Sequence, residues 1–416
     1  MLAILTTHPI QYQVPLWQAL AKDGRVPFEV WYLTLHGTQP SHDREFGKEF
    51  AWDLEMLSGY PHRFLDVASG ATPSSFWKCR LKEKLRDRIR KSGTRALWIQ
   101  GWQVAAYWQA AWEAKAAGVE VWLRGESNDL APTPWWKSPV KHIALGRLFD
   151  RIDRFLYIGS ANRRLYQKFA VPNEKLFPAP YAVDNQRFAE QAEALRGQRS
   201  VVRGQWSIPN DAFCVLFCGK FIPKKRPMDL IAAVRLLGKE RGAGCGEQAK
   251  IHLLFAGSGE LGDALRSRCD VVFDADAHQR SEDREQTSVA SSQLPAPGFR
   301  NPSASFAGFL NQTEISKAYD AADVLVLPSD YHETWGLVVN EAMASGLPCI
   351  VSDQCGCAED LGKISSNAIY ECGNIKSLAT ELTTFAKHGK REVFARDLQY
   401  YSFDETVKTV ADIWSR

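Results

Sequence analysis

Short apolar runs alternate with longer segments of helical period along most of this 416-residue chain. Leu2–Thr6, Phe28–Leu33, Ala96–Gln100, Val119–Arg124 and Phe155–Ile158 read as buried strands. Helices are expected between them, at about 12–22, 76–92, 103–117, 136–150 and 160–169. A continuous apolar strand followed by a helix, repeated, predicts a parallel sheet covered on both faces. The stretch Pro172–Asp184 is rich in proline, and Glu190–Arg203 is polar and charged. The same alternation then resumes, with strands at Phe213–Phe217, Ile251–Ala256, Ser305–Gly308, Val324–Leu327 and Leu347–Val351. Helices are expected at about 227–239, 260–268, 313–321, 334–345 and 404–415.

The pattern divides into an N-terminal domain over 1–185, a linker over 186–205, a C-terminal domain over 206–395 and a terminal helical segment over 396–416. Residues 274–303 are polar and carry little periodicity, so they read as an inserted surface loop. The expected fold class is α/β, with two doubly wound parallel-sheet domains facing across a cleft.

One stretch concentrates candidate chemistry. Asp323–Asp353 (DVLVLPSDYHETWGLVVNEAMASGLPCIVSD) reads as strand, loop, helix and strand. Ligands of open α/β sheets sit at the carboxyl ends of strands, where the first amides of a following helix attract anions. Trp335, Gly336 and Leu337 fall at that position, and Gly336 permits close approach of a ligand to the backbone. Glu333 and Glu341 are eight residues apart, about 80° round a helix and two turns along. They are placed to meet a long ligand at two points, and carboxylate acceptors suit sugar hydroxyls. The plainer alternative is a helix cap and a solvated helix residue.

A second concentration follows the Phe213 strand, in Cys218-Gly219-Lys220-Phe221-Ile222-Pro223-Lys224-Lys225-Arg226. Four cations within seven residues at a strand–helix handover suit a diphosphate, although an exposed basic loop has the same spelling. The first strand leads into TTHPIQ rather than GxGxxG, which argues against a nicotinamide site. Gly257-Ser258-Gly259 is a lone GxG.

In order, GK…KK, LLFAGSGEL, FAGFLNQTEISKAYDAADVLVLPS and E-x7-E over about 210–355 resemble the retaining glycosyltransferases of family 4, the glycosyl transferases group 1. That resemblance implies the GT-B fold of two Rossmann-like domains and transfer of a sugar from a nucleotide-diphosphate-sugar donor. It implies roles residue by residue. Lys220 and Lys225 would hold the diphosphate at the turn made by Gly219. Glu333 would contact the donor sugar, and Glu341 the ribose hydroxyls. The amides of Trp335, Gly336 and Leu337 would face sugar and phosphate, and Phe309 and Leu310 would lie near the base. Glu333, Lys220 and Lys225 are the expected catalytic set, with the lysines stabilising charge on the departing diphosphate. Net retention at the anomeric carbon would follow from front-face attack. Lys220 stands where the family usually has arginine, which keeps the charge and loses the bidentate fork. Thr7-His8-Pro9 stands where the family often has a glycine pair. His8 and Glu126 both follow strands and are the acceptor-side candidates, although each is also an ordinary loop residue.

Composition narrows the remaining classes. The chain is 45% hydrophobic and 24% charged with a formal net charge of +3, which argues against a strongly basic nucleic-acid binder. Nine cysteines without zinc-like pairs fit reduced thiols and a cytoplasmic protein, and Cys355-Gly356-Cys357 is read as core before redox chemistry. MLAILTTHPIQY lacks a basic n-region, and no apolar run reaches the length that spans a bilayer. Asp274-Ala275-Asp276 has a metal-motif spelling but falls in the insertion, so neither a metal nor another cofactor is expected.

The acceptor is expected to be a glycan or a lipid-linked glycan in polysaccharide or glycoconjugate assembly. Eleven of the fourteen tryptophans lie at or before position 136, where core packing is the default and stacking on a sugar the alternative. Over Phe76–Arg95, nine cations face two acids, and Trp77, Leu81, Leu85 and Ile89 recur at i+4. A helix of that pattern either lies on an anionic membrane surface or packs its stripe on the sheet. The first case would place the protein peripherally at the inner face of a membrane. Two further functions fit the same residues: a sugar-nucleotide epimerase of the same fold, and a non-catalytic nucleotide-sugar-binding partner in a biosynthetic complex.

Overall fold

The computed structural model describes the chain apart from residues 37–40, 44–47, 51, 132–138, 242–249, 278–300 and 389–392. Contacts divide it into two compact units. One comprises Met1–His42, Glu49–Asp184 and Gln399–Arg416, and the other contains Asn185–Leu398.

The first unit is built on Leu2–Thr6 (β1) and Phe28–Tyr32 (β2). Ser41–Asp43 (β3) and Lys48–Phe50 (β4) form a separate two-stranded pair. His62–Phe64 (β5), Ala96–Ile99 (β6), Glu120–Leu123 (β7), Arg154–Tyr157 (β8) and Leu176–Pro178 (β9) complete a seven-stranded sheet in the order β5-β2-β1-β6-β7-β8-β9. All its pairings are parallel. Period-two alternation sends Ala3, Leu5, Leu97 and Ile99 into the layer beneath the helix Ala105–Ala116. Leu2, Ile4, Ala96 and Trp98 go to the opposite layer, with Trp17 and the helix Phe403–Trp414. Trp17 and Trp98 meet edge to face at 5.6 Å, so these tryptophans are core. Trp102 packs on Phe149 at 5.5 Å, and Trp108 donates to its carbonyl. Trp135 and Trp136 lie outside the described residues.

The second unit repeats the plan with Ala212–Cys218 (β10), Lys250–Ala256 (β11), Asp270–Asp274 (β12), Ser303–Gly308 (β13), Val324–Leu327 (β14), Cys349–Ser352 (β15) and Ala368–Tyr370 (β16). The order is β12-β13-β11-β10-β14-β15-β16, again all parallel. Two seven-stranded parallel sheets with flanking helices make this an α/β chain of two doubly wound units.

Four expectations require correction. Residues 186–205 are not a linker: they hold the helices Asn185–Ala194 and Arg199–Gln205. Arg203 in the second is buried, donates to the carbonyls of Ala212 and Ala321, and pairs with Asp323, so this polar segment belongs to a folded unit. The insertion does not begin at 274, because Asp274 ends β12, an edge strand too short and too charged to stand out. Of its remainder, 278–300 lies outside the described residues. The segment after 396 is not a separate element, since Val407, Val410 and Ile413 complete the first unit's core. The helix expected over 76–92 is confined to Leu85–Ser92. Residues 78–84 alternate instead, with Cys79 and Leu81 buried and Lys78, Arg80, Lys82 and Lys84 exposed, and Leu81 bridges Val67. Leu81, Leu85 and Ile89 enter the core, which covers that part of the expected apolar stripe, while Trp77 stays exposed.

Candidate active site

In the second unit the chain runs from β10 outward to β11 and β13, then returns to the other side of β10 to form β14. The order reverses between β10 and β14, and crevices at the carboxyl ends of strands open at such reversals. Both charged motifs flank this point.

The loop after β10 is shaped by glycine. Gly219 takes φ +141° and its amide donates to the Ala256 carbonyl at 2.9 Å. Gly257, after β11, takes φ +139°, and a Cβ there would sit 2.0 Å from the Gly219 carbonyl oxygen. Only hydrogen fits at that position. Phe221 donates to the Ser258 carbonyl and is buried, which fixes the loop carrying Lys220, a half-buried residue. Pro223–Lys225 then forms one 3₁₀ turn, and the Asp330 amide donates to the Lys224 carbonyl at 2.9 Å. The loops after β10 and β14 are thereby joined by backbone.

Their side chains are joined too. Lys225 Nζ and Glu333 Oε2 form an ion pair, with side-chain exposures of 21% and 14%. Ser329 Oγ donates to the same carboxylate oxygen at 3.1 Å. Burial works against the Lys225 ammonium, but the Glu333 charge and hydrogen bond outweigh it and hold its pKa above the usual lysine value. The Glu333 segment is pinned from β15's side, where the amides of Gly356 and Cys357 donate to the carbonyls of Glu333 and Trp335 at 3.0 Å. A Cβ on Gly356 would lie 1.8 Å from the Thr334 carbonyl oxygen. Cys355 and Cys357 are buried, and burial pushes both thiols well up, so this motif serves packing.

The helix carrying Glu341 starts later than the sequence suggests. It spans Leu337–Ala344, with Gly336 as N-cap at φ +109°. Trp335 therefore precedes the helix. It is buried, and its indole Nε1 donates to Asn340 Oδ1 at 2.8 Å, locking the loop onto the helix it enters. Glu341 accepts from Tyr319 Oη at 2.6 Å. Burial pushes its carboxyl above the usual range, and Tyr319, Arg187 and Gln312 oppose that rise. Arg187 donates to the Gln312 carbonyl and side-chain oxygen at 2.8 and 2.7 Å, on the loop that opens with Phe309 and Leu310 after β13. Phe309 and Leu310 are half-buried.

Every donor-side candidate of the sequence thus lies at the carboxyl edge of one sheet, and the structure brings Lys225 to Glu333. Tyr319, Arg187, Ser329 and Gly356 were missed. Tyr319 sits in an apolar helix pattern, Arg187 in the segment read as linker, and neither carries a motif of its own.

The first unit has its own edge. Its reversal lies between β1 and β6, and His8 follows β1 while Glu126 follows β7. His8 Nδ1 bonds Thr7 Oγ1 at 2.9 Å, and burial with nearby His36 lowers its pKa to about 4, so its ring is neutral at pH 7. Glu126 accepts from Tyr181 Oη at 2.5 Å, and buried Arg124 stacks on the Tyr181 ring at 4.8 Å. The two candidates share an edge and have separate partners. Asp274 and Asp276 are both bound to Arg266, and no group of metal-ligating residues occurs among the described residues.

Residues 198–397 match the family model described as Glycosyl transferases group 1. The sulfoquinovosyl transferase SQD2 of Arabidopsis thaliana is 39% identical over 92 residues, which cover 21% of this chain and 17% of that protein. A D-inositol 3-phosphate glycosyltransferase of Streptomyces coelicolor is 25% identical over 226 residues, 52% of this chain and 43% of that one. The chain thus spans less than half the length of these relatives. The structure of Anabaena Alr3699/HepE in complex with UDP is similar over 100% of this chain and 99% of its own, with TM-score 0.64 and 14% identity. The segment that matches the group 1 glycosyl transferase model, residues 198–397, holds the Lys225–Glu333 pair and Glu341, and the chain shares the GT-B fold of its structural neighbours.

Proposed function

We propose that this protein is a retaining glycosyltransferase that moves a sugar from a nucleotide-diphosphate-sugar to a glycan or lipid-linked glycan acceptor. The observation that carries it is the Lys225–Glu333 pair at the β10–β14 reversal of a group 1 domain. A donor diphosphate would take Lys225 as its counter-charge together with Lys220, freeing Glu333 for the sugar hydroxyls. Glu341, held by Tyr319, would accept from the ribose, and the loop opening at Phe309 and Leu310 would line the base. The first helical amides after Gly336 would point at sugar and phosphate. UDP bound to the Anabaena neighbour supports a nucleotide ligand for this fold.

Charge on the leaving diphosphate would be stabilised by the two lysines, and the acceptor would attack from the same face, giving retention. No metal or other cofactor has a role in this scheme. The acceptor would meet the first unit, where His8 offers a neutral ring and Glu126 a carboxylate. Such a role belongs to polysaccharide or glycoconjugate assembly in the cytoplasm, at the inner membrane face where the acceptor carries a lipid.

Thermal shifts with UDP, GDP, ADP and CMP identify the base, because a ligand of the native state raises Tm by mass action. The matching nucleotide-sugar is then incubated with and without candidate acceptors. Acceptor-dependent release of the nucleotide with an α-to-α or β-to-β product is expected. Acceptor-independent interconversion of the donor sugar would identify an epimerase, and binding without turnover a non-catalytic partner.

A further inference from the structure

The first unit carries a cationic ridge whose chemistry the donor site does not use. Leu81 bridges Val67, and around that bridge the Ala68 amide donates to the Arg80 carbonyl and the Lys82 amide to the Asp66 carbonyl. Cys79 and Leu81 are buried, and Lys78, Arg80, Lys82 and Lys84 are exposed. The four charges thus form a row of exposed cations within seven residues. The helix Leu85–Ser92 continues it with Arg86, Arg90 and Lys91 exposed. Arg88 is paired with Glu83. Asp66 and Asp87 are the exposed acids beside the row among the described residues, so it stays strongly positive.

At the start of the row stands Trp77, 77% exposed and edge to face with Phe76 at 4.8 Å. An indole held in water beside a line of cations matches the two components of a membrane interface. Aromatic rings settle at the level of the headgroups, and lysine and arginine pair with anionic lipid.

We infer that the Lys78–Lys91 ridge docks the protein on an anionic lipid surface, with Trp77 entering the headgroup layer and the cations Lys78, Arg80, Lys82 and Lys84 lying on it. The cation run from Lys78 to Lys91 contains no aromatic residue. A single-stranded nucleic acid site interleaves stacking rings with its cations, which favours lipid here. Because Leu81, Leu85 and Ile89 are buried in the core, docking is electrostatic with one shallow anchor and does not unfold the segment. The inference stands apart from the transfer reaction proposed above.

The test is co-sedimentation of the full chain with phosphatidylcholine vesicles with and without phosphatidylglycerol. Binding is expected with phosphatidylglycerol at low salt and is lost at high salt. Replacing Lys78, Arg80, Lys82 and Lys84 together by glutamate should weaken partitioning by at least about 100-fold, given the contribution of each cation near such a surface. Trp77→Ser should weaken it by about tenfold. All four cations are exposed, so an unchanged melting curve and unchanged nucleotide binding are expected for both variants. Absence of binding to the anionic vesicles, equal binding to phosphatidylcholine alone, or a charge-reversed variant that binds like the parent would overturn the inference. So would tighter binding to a single-stranded oligonucleotide than to the vesicles.

Discussion

Lys225 and Glu333, 108 residues apart in sequence, form an ion pair across the point where the second sheet reverses its strand order. Each partner is supplied by a different loop, and the Asp330–Lys224 backbone bond holds the two loops together. Neither charge stands well alone in so covered a place, since removing one leaves the other desolvated and unpaired. A bound diphosphate would replace Glu333 as the partner of Lys225.

Glu333→Gln separates the sugar role from phosphate binding. Without the carboxylate, the largest remaining influence on the Lys225 ammonium is burial, which works against its charge. Turnover is expected to fall by about 100-fold or more, as for loss of a group acting on the reacting sugar. Nucleoside diphosphate affinity should change by less than about tenfold, since Lys225 gains the phosphate as its only counter-charge. Steady-state kinetics beside calorimetry checks this, and full turnover in the variant would remove Glu333 from the site.

Gly356→Ala tests whether the Glu333 loop must be held from β15's side. The new methyl would strike the Thr334 carbonyl oxygen, a backbone atom that cannot rotate away. Relieving the clash breaks the Gly356–Glu333 and Cys357–Trp335 backbone bonds. A stability loss of about 1–3 kcal/mol is expected. Turnover should fall more than the melting curve alone explains, because a displacement of about 1 Å at a reacting group is costly. A variant with parental kinetics would show that the loop positions itself.

Glu341 predicts a pH dependence of nucleotide affinity. Burial raises its carboxyl pKa above the ordinary glutamate value of 4.5, so the folded state holds this proton more tightly than the unfolded chain. Stability from this group is therefore greatest at low pH and is lost as pH rises from the ordinary value through the raised one. Ribose hydroxyls donate best to the ionised form, so affinity should move the opposite way, weakening as pH falls through the raised pKa. Glu341→Gln, which keeps an acceptor for Tyr319, should weaken binding by about tenfold at high pH and flatten the profile. Calorimetric titrations across acid to neutral pH would contradict this if both proteins gave parallel curves.

Much of the fold was legible because buried parallel strands are continuous apolar runs. Leu2–Thr6 and Val324–Leu327 match their elements residue for residue. The edge strands β5, β9 and β16 have only three residues each, and β12 is bounded by Asp270 and Asp274, so they left no such trace. The 76–92 segment misled because Leu81, Leu85 and Ile89 fit a helical period, while the helix is confined to Leu85–Ser92 and Leu81 is instead bridged to Val67. Donor-side residues were visible as charges at strand ends. Tyr319 and Arg187 were not, because a buried tyrosine and an arginine on a polar helix look ordinary until the chain brings them to Glu341 and Gln312. Gly356 carried its signal only in three dimensions, through its distance to Thr334.

On the proposed function, Lys220 and Lys225 form the counter-charge of a nucleoside diphosphate. Calorimetric titration of UDP, GDP and ADP into the full chain and into the Lys220→Ala, Lys225→Ala double variant tests it most directly. The parent should bind at least one of the three, and the double variant should bind that nucleotide at least about 100-fold more weakly, the loss of two charge-assisted contacts. Equal affinity in the two proteins, or no binding of any nucleotide by the parent, would contradict it.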